Sequence, residues 1–466
     1  MAHVVIIGGG PAGYEAALVA AQLAAEVTLV EADGPGGGCV LHDCVPSKAF
    51  IASAEAVTAA RDTERFGIAG QPAAVPVNAE VLHRRVRDLA TAQSADIGAK
   101  LVKAGVHLVA GTARLGEDTL GHRHQVVVDP THDDGAYPIS ASAVLIATGA
   151  TPRVLPAARP DGDRILNWRQ LYHLDRVPER LVVVGSGVTG AEFASAYLAM
   201  GSEVTLVSSR ERVMPHEDAD AAMVIERVFR ERGMTVVSNA RAVAARRTGD
   251  GVLVELADGR TVAGSHVLMA VGSVPNTGAL GLAGYGVAVS DRGYVTVDRV
   301  SRTSVPGVYA AGDCTGVLPL ASVAAMQGRI AMWHALGESV SPLTLRTVSA
   351  NVFTDPELAT VGVTQSEVDQ GLVPARSVTL PLAGNARAKM SDLRDGFVKL
   401  FCRPASGLVI GGVVVAPRAS ELILPITMAV EHHLTVAQLA HTITIYPSLS
   451  GSIAEAARQL MQHEFD

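Results

Sequence analysis

This sequence predicts an α/β chain in which a strand–turn–helix–strand unit built on a parallel sheet occurs twice and a separate α+β module follows. Three observations carry that expectation. A glycine-rich turn joins a β-branched run to an apolar helix at the start of the chain, the same pattern returns from Leu181, and it does not return after about residue 345. A length of 466 residues suits roughly three domains. We expect boundaries at 1–150, 151–272, 273–344 (a return to the first unit) and 345–466.

The first unit begins with Val4-Val5-Ile6-Ile7, turns through Gly8-Gly9-Gly10-Pro11-Ala12-Gly13 and continues into the helical run "YEAALVAAQLAA". A strand, Val27 to Val30, then closes on Glu31, 23 residues after Gly8. In this setting Gly8 permits a tight turn, Gly10 lets the backbone approach a pyrophosphate, and Gly13 permits close helix–strand packing. The helix N-terminus faces the phosphates, and Glu31 suits ribose hydroxyls. The second unit repeats this with Leu181 to Val184, Gly185, Gly187 and Gly190, the helix "AEFASAYLAM" and a strand from Glu203 to Val207. Each copy later closes with a related segment, "VLIATGATP" or "VLMAVGSVPN". Two Rossmann-like dinucleotide-binding domains imply two nucleotides in one chain, with electrons passing between them. In the second copy Ser208 stands where an acid would, and Arg210 and Arg212 follow. That exchange suits a 2′-phosphate and hence NADPH over NADH. The tail holds strands such as "GFVKLFC" and "LVIGGVVVA" and helical stretches such as "ELILPITMAVEHH".

Composition narrows the partners. Thirty-eight Lys and Arg against 46 Asp and Glu leave a net charge of −8, which argues against nucleic acid or an anionic membrane surface. Apolar residues at 48% and charged residues at 18% exclude global disorder. No apolar stretch approaches the roughly 20 residues that cross a bilayer, and nothing resembles a secretion signal, so the cytoplasm is the expected compartment. Four cysteines do not make a secreted disulfide framework, and any disulfide is expected to be catalytic. No metal site is expected.

Cys39 and Cys44 lie five apart, between a Gly triplet and Pro46-Ser47-Lys48. Five residues of ideal helix rise about 7.5 Å, more than a disulfide normally tolerates, so the pair can bridge only where the helix start is distorted. A helix N-terminus also favours the thiolate. Cys314 and Cys402 lack such a setting and are expected to be ordinary buried cysteines.

With "GGGCVLHDCVPSK", "IATGATP", "VVVGSGVTGAEFA", "GVYAAGDC", "LASVAAMQGR", "FTDPELATVG" and "ASELI" in place, nearly the whole chain resembles the flavoprotein disulfide reductase family. The resemblance implies FAD on the first fingerprint, a nicotinamide cofactor (NADPH or NADH) on the second, and a C-terminal dimerisation domain that completes the partner's active site in a homodimer. It implies FAD contacts from Gly8, Gly10, Pro11, Ala12, Gly13, Glu31, Gly38, Lys48, Thr112, Ala113, Thr148, Gly149, Asp313 and Ala321. Gly111 to Ala113 would lie on the adenine side and Asp313 on the ribityl chain. The nicotinamide cofactor would contact Gly185, Gly187, Gly190, Ser208, Arg210 and Gly272. Lys48, paired with Glu192, would stabilise negative charge on the reduced ring. Cys44 would be the thiol nearest the flavin and Cys39 the one that exchanges with substrate.

The chain departs from that pattern in informative places. Disulfide-reducing members carry a His before a Pro and a Glu five residues after the His. Here Tyr446 and Gly451 occupy those positions, and His441 lies five residues too early. Loss of a positioned base typically costs about 10² to 10⁴ in rate, so reduction of lipoamide or glutathione should be poor. Gly38 replaces the usual Thr, Leu41 an Asn, and Asp43 the Gly before the second Cys. Asp43 is expected to disfavour the Cys44 thiolate, leaving the thiol pair retained but demoted. A quinone needs no His base, and the ending looks most like the lipoamide-dehydrogenase-like NAD(P)H:quinone reductases, although members of that group can lack the first redox Cys and Cys39 is present here. The expected activity is therefore NAD(P)H dehydrogenation through FAD to a quinone or similar small acceptor, with Tyr446 either hydrogen-bonding the acceptor or packed at an interface. The alternatives are a Cys39–Cys44 disulfide reductase and a slow flavin redox sensor or complex component.

Overall fold

The computed structural model describes residues 2–68, 75–116, 123–132 and 135–461. The first sheet is seven-stranded and starts from His3–Ile7, whose Val4 to Ile7 are all buried. This strand pairs in parallel with Glu26–Glu31 on one side and Ala143–Ile146 on the other. Val308–Ala310 adds the outer parallel edge beside Ala143–Ile146. His107–Leu115 pairs in parallel with Glu26–Glu31 and then carries an antiparallel extension through His124–Pro130 and Tyr137–Ala141. The edge strand arrives from far along the sequence, so this unit is not built from one continuous stretch.

The helix Pro11–Gln22 leaves the first strand and packs on a second helix, Ala321–Ala335. The approach is close enough that a Cβ on Gly328 would lie 2.1 Å from the carbonyl oxygen of Ala12. Alanines supply much of the Pro11–Gln22 face, with Ala12, Ala16, Ala17 and Ala20 buried. Small side chains let the two backbones meet at this distance.

The second unit is a parallel five-stranded sheet around Arg180–Val184, flanked by Glu203–Val207 and His266–Met269. A three-stranded antiparallel sheet, Ala242–Thr248, Gly251–Leu256 and Thr261–Gly264, packs with it in one apolar cluster. A two-stranded ribbon, Ala150–Pro152 with Ser273–Pro275, joins the units where each crosses to the other.

The tail forms a five-stranded antiparallel sheet. Every residue of its Phe397–Cys402 strand is buried, which alternation with solvent would not allow. The reason is that both faces are covered. Val398, Leu400 and Cys402 pack on the module's own helices. Phe397 and Phe401 share a core with Phe193, Ile225 and Phe229 of the second unit. Across that joint the Lys399 ammonium, fully buried, meets Asp218 at 2.9 Å and Asp220 at 2.6 Å.

Candidate active site

The two fingerprint turns have the same geometry. Gly8, at φ +103°, would place a Cβ 2.3 Å from the Ala147 carbonyl oxygen, and Gly13 would place one 1.9 Å from that of Gly8. The second copy repeats both contacts, Gly185 against Ala270 at 2.2 Å and Gly190 against Gly185 at 1.8 Å. The middle glycines are different. A Cβ on Gly10 would meet nothing closer than 4.0 Å, and one on Gly187 nothing within 4 Å, so these backbones are open to a ligand. Glu31 accepts hydrogen bonds from Gly9 N–H and, at 2.8 Å, from Asp33 N–H, which fixes its carboxylate beside the turn.

A cavity of about 680 Å³ runs from this turn to the cysteines. Its wall includes Gly8, Gly10, Pro11, Ala12, Glu31, Gly38, Thr112, Ala113, Thr148, Gly149, Asp313 and Ala321, together with Cys39 and Cys44. Gly13 stands behind the wall as the packing residue. Trp168, Arg169 and Asn276 also line it and are absent from the expected contacts, the first two because their segment carries no dinucleotide motif and Asn276 because its segment belongs to the second unit. The readable signal was the capping box of Asn167 and Gln170, which fixes the turn Trp168–His173. Arg169 lines that wall, and its Nε is buried without a protein partner.

Lys48, on the helix Cys44–Arg61, donates to Glu192 Oε2 at 2.8 Å. Glu192 sits buried on Val188–Ala199 of the second unit, and its other oxygen accepts from Phe353 N–H at 2.9 Å. Lys48 Nζ also lies 4.8 Å from the centre of the Phe353 ring. Burial works against the ammonium, but Glu192 outweighs it and holds Lys48 above the usual lysine range. One ion pair thus joins all three parts of the chain.

Cys39 ends up in the short helix Gly37–Leu41, and Cys44 opens the next helix after a break at His42 and Asp43. The distortion expected between them is present. Both thiols are free and hydrogen-bonded to one another. That bond pulls Cys44 down, outweighing burial and Asp43, and together with burial pushes Cys39 far up. Asp43 does disfavour the Cys44 thiolate, as expected, but the bond to Cys39 has the larger effect. Burial also pushes Asp43 itself above the usual carboxylate range, reinforced by Glu192 and opposed by Lys48 and Arg169. Cys314 and Cys402 are fully buried, as expected of structural cysteines.

One position requires correction. Ser208 is completely buried, accepts from the Ser186 hydroxyl at 2.7 Å and donates to the Arg210 carbonyl at 3.0 Å. It shapes the loop, while Arg210 is exposed and Arg212 holds a buried Nε without a partner. Gly272 lies in the left-handed region, and its own carbonyl accepts from Arg153 N–H at 2.9 Å across the domain joint. Tyr446 is 85% exposed, in a run that includes Ile443 at 99% and Ile445 at 80%, and is not on the cavity wall within one chain. Of the two roles expected for Tyr446, hydrogen-bonding an acceptor or packing at an interface, either needs a second copy of the chain to cover it.

The model of the pyridine nucleotide-disulphide oxidoreductase family matches residues 2–328, and that of the family's dimerisation domain matches residues 348–457. The chain belongs to the pyridine nucleotide-disulphide oxidoreductase family. It is an oxidoreductase, and its family uses FAD and NAD(P)H. It is 58% identical over 465 residues to an NAD(P)H dehydrogenase (quinone) of Mycobacterium tuberculosis, covering 99% of this chain and 94% of that protein. It is 34% identical to a dihydrolipoyl dehydrogenase of Chlorobaculum tepidum, covering 98% and 97%. The crystal structure of LpdA from Mycobacterium tuberculosis superposes with a TM-score of 0.95 at 58% identity, over 99% of this chain and all of that one. Among the described residues no helix is long and apolar enough to cross a membrane.

Proposed function

We propose that this oxidoreductase passes electrons from NAD(P)H to a quinone, as a homodimer, with FAD in the glycine-walled cavity. The observation that carries the quinone reading is the replacement of the family's His and Glu by Tyr446 and Gly451, which removes the base that thiol–disulfide exchange needs. The name of the Mycobacterium tuberculosis relative supports the same acceptor. Bound in the cavity, FAD would supply two-electron transfer between NAD(P)H and an acceptor. The protein groups suit that role. The open backbone at Gly10 and the N-terminus of Pro11–Gln22 would hold a pyrophosphate, Glu31 a ribose, and Thr112 and Ala113 the adenine side. Asp313 and Ala321 would face the middle of the cofactor, and Thr148 and Gly149 would border it. Lys48, held by Glu192, would offer positive charge to the electron-rich ring.

At the second fingerprint the open Gly187 would take the nicotinamide cofactor's phosphates. The exposed Arg210 beside a Ser208 that replaces the usual acid favours a 2′-phosphate, hence NADPH. The exposed Ile443, Ile445 and Tyr446 suit burial against a second copy, in line with the dimerisation domain. A second reading, disulfide reduction, is favoured by the hydrogen-bonded pair of Cys39 and Cys44.

Stopped-flow turnover of flavin-loaded protein separates the two. With NADPH we expect menadione turnover above about 1 s⁻¹. Lipoamide should be slower by about 10²-fold or more. Equal rates with both acceptors would overturn the quinone reading.

A further inference from the structure

Reduction of a quinone to a quinol takes two electrons and two protons. NAD(P)H delivers a hydride, so one further proton must come from elsewhere. The family's His is absent from this chain, and Tyr446, which stands in its place, is outside the cavity of its own chain and reaches an active site only across a dimer. Within the cavity wall, Asp43 stands next to Cys44, with Arg169 on the same wall. Gly38 explains how Arg169 fits there: a Cβ at Gly38 would come within 3.2 Å of Arg169 Nη2, so the Thr usual at this position would press on the guanidinium.

We propose that Asp43 is the proton donor to the acceptor reduced in this cavity, and that Arg169 is the positioning residue that stabilises the carboxylate left behind. The proposal rests on the quinone reading. In the step, the O–H bond of the Asp43 carboxyl breaks and an O–H bond forms on the quinone oxygen. The electron pair and the other hydrogen originate in NAD(P)H, which leaves as NAD(P)⁺. Asp43 then regains a proton from solvent.

The surroundings suit an acid that stays protonated until needed. Burial is the largest influence on Asp43 and favours its neutral form. Glu192, the Cys pair and Asp313 add negative or potentially negative neighbours, and Tyr172 presents a buried hydroxyl with no partner. Lys48, Arg169 and His42 act in the other sense and lower the cost of the carboxylate once the proton has gone. These groups come from its own helix start, the short cysteine helix, the Trp168–His173 turn, Val188–Ala199 and the Asp313 turn.

The test compares the full flavin-loaded protein with Asp43→Asn, using menadione, which needs protons, and ferricyanide, which takes single electrons without them. The ratio of menadione to ferricyanide rates should fall by about 10-fold to 100-fold in the variant. Asp43→Glu should recover part of that ratio. An unchanged ratio, or an equal loss with both acceptors, would overturn the proposal. Infrared difference spectra give a readout independent of turnover. A protonated-carboxyl band titrating above the usual Asp value of about 3.9 should be present in the wild type and missing in Asp43→Asn. Spectra with no such difference would also overturn it. A wild type that reduces ferricyanide but not menadione would instead sink the quinone reading, and the infrared result would still decide whether Asp43 holds the proton.

Discussion

Glu192 accepts from Lys48 on one oxygen and from the Phe353 backbone on the other, so it cannot be neutralised without consequence on both sides. Glu192→Gln keeps the shape and removes the charge. We expect a loss of about 2 kcal/mol in unfolding free energy, reduced from a fully buried pair because Lys48 is 34% exposed. Denaturant titration checks it, and an unchanged midpoint would contradict it. Asp313 gives a pH test. Burial pushes its carboxyl up to about 6, and Asp43 adds to the effect. A raised acid binds its proton more tightly folded than unfolded. The associated stability is therefore complete below about 3.9 and is lost as pH rises through about 6. For the flavin-free chain the loss should be at most about 3 kcal/mol. Asp313→Asn should flatten the melting-temperature profile across that window. At this scale, Lys48 and Glu192 could be read from the sequence because motif residues announce their roles. Ser208 could not, because strand spacing does not say that a hydroxyl will turn inward toward Ser186.

Helices Pro11–Gln22 and Ala321–Ala335 meet through backbone, and Gly328 is where they touch. Gly328→Ala would put a methyl 2.1 Å from the Ala12 oxygen, which only a shift of one helix can relieve. Overpacking of this kind costs about 1–3 kcal/mol. We expect a lower melting temperature and weaker flavin retention on gel filtration, since Ala12, Ala321 and Ala324 all line the cavity. Retention equal to wild type would count against this reading. The paired fingerprints were legible because two turns with the same steric demands leave the same glycines. The turn carrying Trp168 and Arg169 was less so. Its capping box shows where a turn starts but not which cavity the turn will face.

Across the whole molecule, the tail is attached to the second unit by a shared aromatic core and by Lys399 between Asp218 and Asp220. Lys399→Met leaves Asp218 buried without its cation and should cost about 3 kcal/mol, measured by chemical denaturation. Adding Asp218→Asn should return part of that loss. The apolar run at residues 443–446 gives an assembly test: Ile443→Asp with Ile445→Asp should shift the particle from dimer to monomer in light scattering, and a persistent dimer would place the contact elsewhere. The tail strands themselves could be anticipated. Their burial on both faces could not, because it depends on which other unit comes to rest on the second face. The first sheet shows the same dependence on distant sequence, since Val308–Ala310 forms its outer edge and Asp313, Ala321 and Ala324 close its cavity. On the ribosome, then, the opening third of the polypeptide emerges with its pocket lacking one side. Prosthetic-group loading must wait for synthesis to pass Ala324, after the intervening unit has already left the exit tunnel.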